Sequence, residues 1–320
     1  MRVLVTGGAG FLGSILCDRL VRENHEVICL DNLSTGRMIN IEKLLSERNF
    51  RFLEHDVCDP INLKVDKIFN FASPASPVHY QRDPVQTLKT NVLGTLNMLE
   101  LARRTGATFL QASTSEIYGD PEIHPQHEEY FGRVNPIGIR SCYDEGKRCA
   151  ETLAFDYSRH YLTNIKVVRI FNTYGPKMSP NDGRVIPNFI QQALQNSDLT
   201  VYGDGMQSRS LCFVEDLIDG IILFMNDKSG FKGPLNIGNP EEITMLQLAD
   251  LVIKLTNSES KIKFESLPLD DPRKRKPDIS KAIDVLNWKP QVTIESGLKK
   301  TIQYFRQQME LNSFKHLKAD

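Results

Sequence analysis

The sequence predicts an α/β protein built on a doubly wound parallel sheet, and three observations predict it. Short apolar runs alternate with amphipathic stretches through the first half of the chain. Those runs are rich in Val, Ile, Leu and Phe along their whole length, and the first of them ends in a glycine-rich turn. A strand covered on both faces reads as a continuous apolar run, whereas a half-exposed strand alternates with polar residues.

"RVLVTG" (2–7) and "EVICLD" (26–31) read as the first two strands. "RFLEHD" (51–56), "KIFNFAS" (67–73), "TFLQAST" (108–114) and "IKVVRIF" (165–171) follow. Helical periodicity occupies 11–23, 84–105 and 143–161, so the crossovers can be right-handed throughout. From about residue 172 the texture changes. "NTYGPKMSPNDGR" is rich in Gly, Pro and Asn and has no period, which marks a long loop, a frequent place for function. A helix near 185–196 and the strand "LTVYG" come next, and "RSLCFVEDLIDGIILFMN" returns as strand and helix to the sheet. The tail carries a helix at 244–256, a Pro- and charge-rich loop at 266–278 and a final helix at 295–309. The expected organisation is a sheet domain over 1–171 with about 210–238, a smaller interleaved lobe over 172–209 and 239–312, and a tail at 313–320.

At 320 residues, with 40% hydrophobic and 25% charged residues and a net charge of −1, this is the composition of a soluble globular protein. The balance argues against bulk binding to nucleic acid or to an anionic membrane. Six cysteines, at 17, 29, 58, 142, 149 and 212, are scattered without metal-ligand spacing, so reduced thiols and no metal site are expected. No run of about 18 apolar residues spans a membrane, and the chain opens directly in its first strand, which leaves no room for a leader. A cytoplasmic location is the expectation.

"VTGGAGFLG" sets Gly7, Gly10 and Gly13 between the first strand and the first helix. Glycine permits the tight turn and lets backbone N–H groups approach a pyrophosphate at the positive end of a helix. Asp31 ends the second strand, 18 residues after Gly13, where a carboxylate accepts ribose hydroxyls and repels a 2′-phosphate. The chemistry points to NAD rather than NADP on a Rossmann-type fold, with Arg37 the one residue that softens the exclusion. Phe11, Leu12 and Asn32 are expected in the same cofactor wall, Asp56 and Val57 are placed to flank the adenine, and Ala72, Ser73, Thr90 and Ala112 are expected to complete it.

"SCYDEGKR" (141–148) places Tyr143 and Lys147 at i and i+4 on one helical face. A cation beside a phenol favours the phenolate, so the pair has the makings of an acid/base near neutral pH. The same spacing also occurs as an ordinary surface contact. Thr114, at the end of the fifth strand, lies 29 residues before Tyr143. With these features the chain resembles the extended short-chain dehydrogenase/reductase family, whose members act on nucleotide sugars. That resemblance implies Tyr143 as base at a sugar hydroxyl, Lys147 holding its pKa down and binding the nicotinamide ribose, and Thr114 hydrogen-bonding the reacting oxygen.

Longer strings narrow it. "SPASPVHYQRDPVQTLKTNVLGTLNMLELA", "STSEIYGDPEIHPQ", "NPIGIRSCYDEGKRCAET", "FNTYGP", "NDGRV" and "DDPRKRKPDI" resemble the UDP-glucuronate decarboxylase family. A 4,6-dehydratase of this fold is expected to carry Thr-Asp-Glu where this chain has Thr114-Ser115-Glu116, and a 4-epimerase is not expected to carry the Glu. The resemblance implies that Ser115 and Glu116 handle the carboxylate end and a water, and that Arg275 orients the carboxylate. Arg273 and Lys274 read as solvated basic residues. For the UDP-sugar the implied contacts are Lys89, Asn172, Arg184, Tyr202 and Arg209. Lys177 and Ser179 stand where the family is expected to have Arg and His. The resemblance further implies a homodimer through a four-helix bundle, with apolar Val92, Leu96, Leu99, Leu153, Tyr157 and Tyr161 facing either a partner or the sheet.

Overall fold

The computed structural model describes residues 1–266 and 275–316, so the part of the expected 266–278 loop that holds Arg273 and Lys274 lies outside it. All six expected strands form: β1 (Arg2–Thr6), β2 (Glu26–Asp31), β3 (Phe50–Glu54), β4 (Lys67–Asn70), β5 (Thr108–Thr114) and β6 (Ile165–Ile170). A seventh strand, Leu235–Ile237, adds to β6. Three residues are too few to show a period, which is why the sequence conceals it. The seven pair in parallel, in the order seventh strand, β6, β5, β4, β1, β2, β3. The order reverses between β1 and β4, and ligands of such sheets bind beyond the carboxyl ends of the strands at that reversal.

Both faces of the sheet are buried. Val3 and Val5 pack with Phe189, Phe213, Leu298 and Phe305 on one side, while Leu4 packs with Ile68, Met98, Leu101 and Ala154 on the other. The continuous apolar run of β1 is thereby explained: alternate residues feed different layers. The first layer draws residues from the chain beyond 239, so the C-terminal segments share the core of the sheet. The final helix, Ile294–His316, carries Leu298, Ile302 and Phe305 into that layer and runs past 312 into the segment expected to be a tail.

The single helix expected over 84–105 is three pieces: Pro84–Lys89, a wide π-turn at Thr90–Gly94, and Thr95–Thr105. A π-turn inserts an extra residue and rotates the stripe that follows. Leu93 and Leu96 consequently face outward, 42% and 37% exposed, while Leu99 is fully buried against the sheet. Leu99 therefore cannot belong to an outward stripe. Leu153 and Tyr157 pack against the same buried layer, and Tyr161 is half exposed.

Candidate active site

Three strand ends meet at the reversal. β1 runs into the glycine loop, β4 into "SPASP", and β5 into Thr114. The Thr6 hydroxyl binds the first two ends together, donating to Asn70 Oδ1 (2.7 Å) and accepting from the backbone N–H groups of Phe71 (3.1 Å) and Ala72 (3.2 Å). Above them opens a cavity of about 880 Å³. Of the expected site residues, Asp56 and Lys89 alone are missing from its walls. The carboxylate of Asp56 instead accepts from Cys58 N (2.8 Å) and Asn32 Nδ2 (3.0 Å), shaping the turn while Val57 faces the cavity. Lys89 is exposed beside Leu88, because Thr87 and Asn91 take the inward face of that stretch.

The glycine loop is as tight as its sequence implies. Gly7 has φ +64°, and a Cβ on Gly13 would lie 2.2 Å from Gly7 O and 2.8 Å from the Gly8 Cα. Such a backbone leaves no side chain between itself and a pyrophosphate, so the residues present fit a dinucleotide. Asp31 sits beneath the loop, its carboxylate accepting from Ala9 N (2.9 Å) and Leu33 N (2.8 Å); burial raises its pKa against those bonds. Arg37 turns away to Asn40 Oδ1 (3.3 Å) and Tyr304 (3.4 Å). Lys177, at φ +69°, donates to Asn40 O (2.8 Å) and ties the 176–184 loop to the cofactor half.

On the other side, Thr114 Oγ1 accepts from Glu116 N (3.2 Å) and caps the short turn Ser115–Tyr118, which aims Ser115 and Glu116 into the cavity. The Ser141–Tyr161 helix brings Tyr143 and Lys147, both buried, to the same wall. Burial pushes the Tyr143 phenol up to about 12; the Thr114 hydroxyl and Arg184 oppose this, and the charges of Glu116 and Asp144 add to it. Lys147 lies one turn beyond Tyr143 on the same helix. Its ammonium donates to Ala112 O (2.9 Å), 5.8 Å separates it from the Tyr143 ring centre, and burial lowers its own pKa to about 7. Tyr80 stacks on Tyr143, centres 5.2 Å apart and planes 7° from parallel. Asn172, Arg184, Tyr202 and Arg209 line the far end, Arg184 held in a two-point ion pair with Asp182 (2.5 and 2.7 Å).

The acidic end is a cluster of charge. Arg275 grips Glu116 with both Nη atoms (2.8 and 3.0 Å), and Arg140 makes a further ion pair with Glu116 Oε2. Burial resists ionisation of Glu116, but the two guanidiniums hold its pKa below the ordinary value. Asp144 Oδ2 stands 4.0 Å from Arg140, and burial with the Glu116 charge pushes Asp144 up to about 7. The sequence reading named neither Arg140 nor Asp144, although Arg140 lies three residues before Tyr143 and four before Asp144, on one helical face. Tyr80 was likewise passed over. Among the described residues no group of three or more His, Cys, Asp or Glu side chains could hold a metal ion.

A model of the NAD dependent epimerase/dehydratase family matches residues 3–238. The chain is 53% identical over 309 residues to "UDP-glucuronic acid decarboxylase 1" of Xenopus tropicalis, covering 97% of this chain and 73% of that protein. With "UDP-glucuronic acid decarboxylase 3" of Arabidopsis thaliana it shares 53% identity over 307 residues, 96% of this chain and 89% of the relative. The crystal structure of UDP-glucuronic acid 4-epimerase from Bacillus cereus, in complex with UDP-glucuronic acid and NAD, is similar with a TM-score of 0.87 and 27% identity, covering 96% of this chain and all of that one. On the extent of these matches and on the geometry of its cavity, the chain belongs to the NAD dependent epimerase/dehydratase family.

Proposed function

We propose that the protein is a UDP-glucuronate decarboxylase that forms UDP-xylose and CO2 with NAD as a bound, regenerated cofactor. The observation that carries this reading is one cavity in which Thr114, Tyr143 and Lys147 face a wall made of Ser115, Glu116, Arg140 and Arg275. An oxidoreductase triad adjoins a group of cations suited to a sugar acid. The identity to UDP-glucuronic acid decarboxylases over nearly the whole chain supports it.

Loss of CO2 directly from a uronic acid would leave an unstabilised carbanion, whereas the same loss from a 4-keto sugar leaves an enolate. Bound NAD supplies the two-electron acceptor and donor that makes C4 a ketone for that interval. Gly7, Gly10, Phe11, Leu12 and Gly13 would hold its pyrophosphate, and Asp31 with Asn32 its adenosine ribose. Val57, Ala72, Ser73, Thr90 and Ala112 would line it. Tyr143 takes the proton of the C4 hydroxyl and gives it back at the end of the cycle. Thr114 hydrogen-bonds the C4 oxygen in each form, and Lys147 binds the nicotinamide ribose. Ser115, Glu116 and Arg275 form the end where the carboxyl group departs and a water delivers the proton to C5. Asn172, Arg184, Tyr202 and Arg209 contact the UDP portion, the arginines meeting the diphosphate. On this reading 172–209 and 239–312 are the nucleotide-sugar lobe.

The chain acts as a cytoplasmic homodimer, its 84–105 and 143–161 stretches pairing in a four-helix bundle. Exposed Val85, Leu88, Leu93 and Leu96 support the pairing. No helix among the described residues is long and apolar enough to cross a membrane.

NMR identification of the product from UDP-glucuronate without added NADH tests the function. UDP-xylose is expected. A UDP-hexuronate epimerised at C4 would favour the 4-epimerase reading that the structural similarity raises, and unchanged substrate would reject both.

A further inference from the structure

We propose that Gln126 is a positioning residue for the acid end of the cavity: it sets Arg275 against Glu116. The proposal rests on the reading that the protein decarboxylates UDP-glucuronate with Glu116 and Arg275 at the departing carboxyl group.

Glu116 and Arg275 lie 159 positions apart, yet Arg275 Nη1 meets Glu116 Oε1 (2.8 Å) and Nη2 meets Oε2 (3.0 Å). A two-point pair of this kind forms only over a narrow range of positions of the guanidinium plane. The segment that carries Arg275 must therefore be fixed relative to the turn that carries Glu116. Gln126 does this from a fully buried position. Its N–H donates to Lys276 O (2.9 Å), its carbonyl accepts from Asp278 N (2.8 Å), and Gln126 stands opposite Pro277 in a parallel bridge. Its side-chain Oε1 accepts from Lys276 N (2.9 Å), the amide of the peptide that joins Lys276 to Arg275. The other side-chain group, Nε2, donates to Ile123 O (2.7 Å), which keeps the amide from turning away. Main chain and side chain together hold residues 276 to 278, directly after Arg275.

The same frame reaches the Glu116 side. Tyr118 ends the turn that aims Glu116, and its hydroxyl donates to Asn236 Oδ1 (2.8 Å). Asn236 Nδ2 donates in turn to Gln126 O (3.0 Å) and Asp278 O (3.2 Å). Tyr118, Gln126 and Asn236 are all fully buried, where a hydrogen bond has no water competing with it and an unmet polar group is costly. Gln126 is not among the residues that line the cavity, so it acts on the chemistry through Arg275 and not by touching substrate.

A double-mutant cycle tests this. Turnover of UDP-glucuronate to UDP-xylose is followed by NMR for the wild type, Gln126→Met, Arg275→Gln and the double variant, with NAD affinity measured alongside. Gln126→Met keeps the length of the side chain and removes both amide groups. It is expected to lower kcat about tenfold or more, because a small displacement of a catalytic group is costly, and to leave NAD affinity within about twofold. With Arg275→Gln already in place, the same change should cost less than about twofold. A general weakening of the fold would cost the same in both backgrounds, and equal losses overturn the proposal. Gln126→Met at wild-type turnover overturns it as well. Gln126→Asn, which draws the amide back by one methylene, is read in the same way and stands in if the first variant does not fold. A wild type that leaves UDP-glucuronate unchanged, or an Arg275→Gln variant at full turnover, would instead reject the reading on which the proposal rests.

Discussion

The cofactor half and the acid half of the cavity are built by different physics. The cofactor half is backbone: a turn of successive residues, Gly7 to Gly13, so close-packed that a Cβ on Gly13 would collide with Gly7 O at 2.2 Å. The acid half is side chain: Glu116, Arg140 and Arg275 come from three separate segments, and its ion pairs join residues 24 and 159 positions apart. A backbone cradle tolerates little but glycine and reads any dinucleotide. A charge cluster depends on each member for the protonation of the others. The lesson is that the first half is set by local backbone geometry and the second by side chains that only the fold brings together.

Tyr143 stands at the seam of the two halves, and its phenol is the largest lever. Tyr143→Phe is expected to cut turnover of UDP-glucuronate by about 10³-fold, within the range for loss of a positioned acid/base, with the substrate still bound. Product formation followed by NMR checks this; turnover within tenfold of the wild type would remove Tyr143 from the chemistry. Gly13→Ala attacks the cradle alone. It should weaken NAD by about tenfold or more, since the loop must shift to admit the methyl group, and a fluorescence titration of the cofactor reads the loss. Undiminished NAD affinity would mean that the loop does not cradle the pyrophosphate.

Lys147 tests burial rather than chemistry. Its folded pKa of about 7 lies below the ordinary lysine value, so the unfolded chain binds the extra proton between these values. Stability should therefore rise as pH increases from about 7 toward 10 through this group. Lys147→Met is expected to unfold at a higher temperature than wild type at pH 7 and to lose that advantage by pH 10. An advantage that does not change with pH would argue that Lys147 is not buried as described. The smallest effect belongs to Tyr80, whose buried hydroxyl has no hydrogen-bond partner among the described residues. Tyr80→Phe keeps the stack on Tyr143 and should leave stability equal or raised by up to about 1 kcal/mol in denaturant unfolding. A clear loss would show that the hydroxyl is partnered.

The contrast between halves also explains what could be read from the chain. β1 through β6 announce themselves as apolar runs, and Gly7, Gly10, Gly13 and Asp31 as a local motif, because neighbours in sequence remain neighbours in space. Tyr143, Lys147 and Thr114 were legible through a spacing that resemblance supplied. The π-turn at Thr90–Gly94 gave no local signal, and Leu99 beyond it is buried. Lys89 went astray because a helical face depends on a phase that tertiary packing fixes. Arg140 and Asp144 are polar residues on a helix, a pattern shared with any solvated surface. Only the arrival of Glu116 from β5 and of Arg275 from the chain beyond 266 makes them part of a site. The grip of Arg275 on Glu116 is equally a matter of folding, since no spacing rule links positions so far apart.

The most direct measurement follows a deuterium atom placed at C4 of UDP-glucuronate. If one enzyme-bound cofactor serves both redox steps, the label reappears at C4 of UDP-xylose, and no exogenous NADH is needed. UDP-xylose carrying protium at C4, or release of a 4-keto pentose as the sole product, would contradict the account.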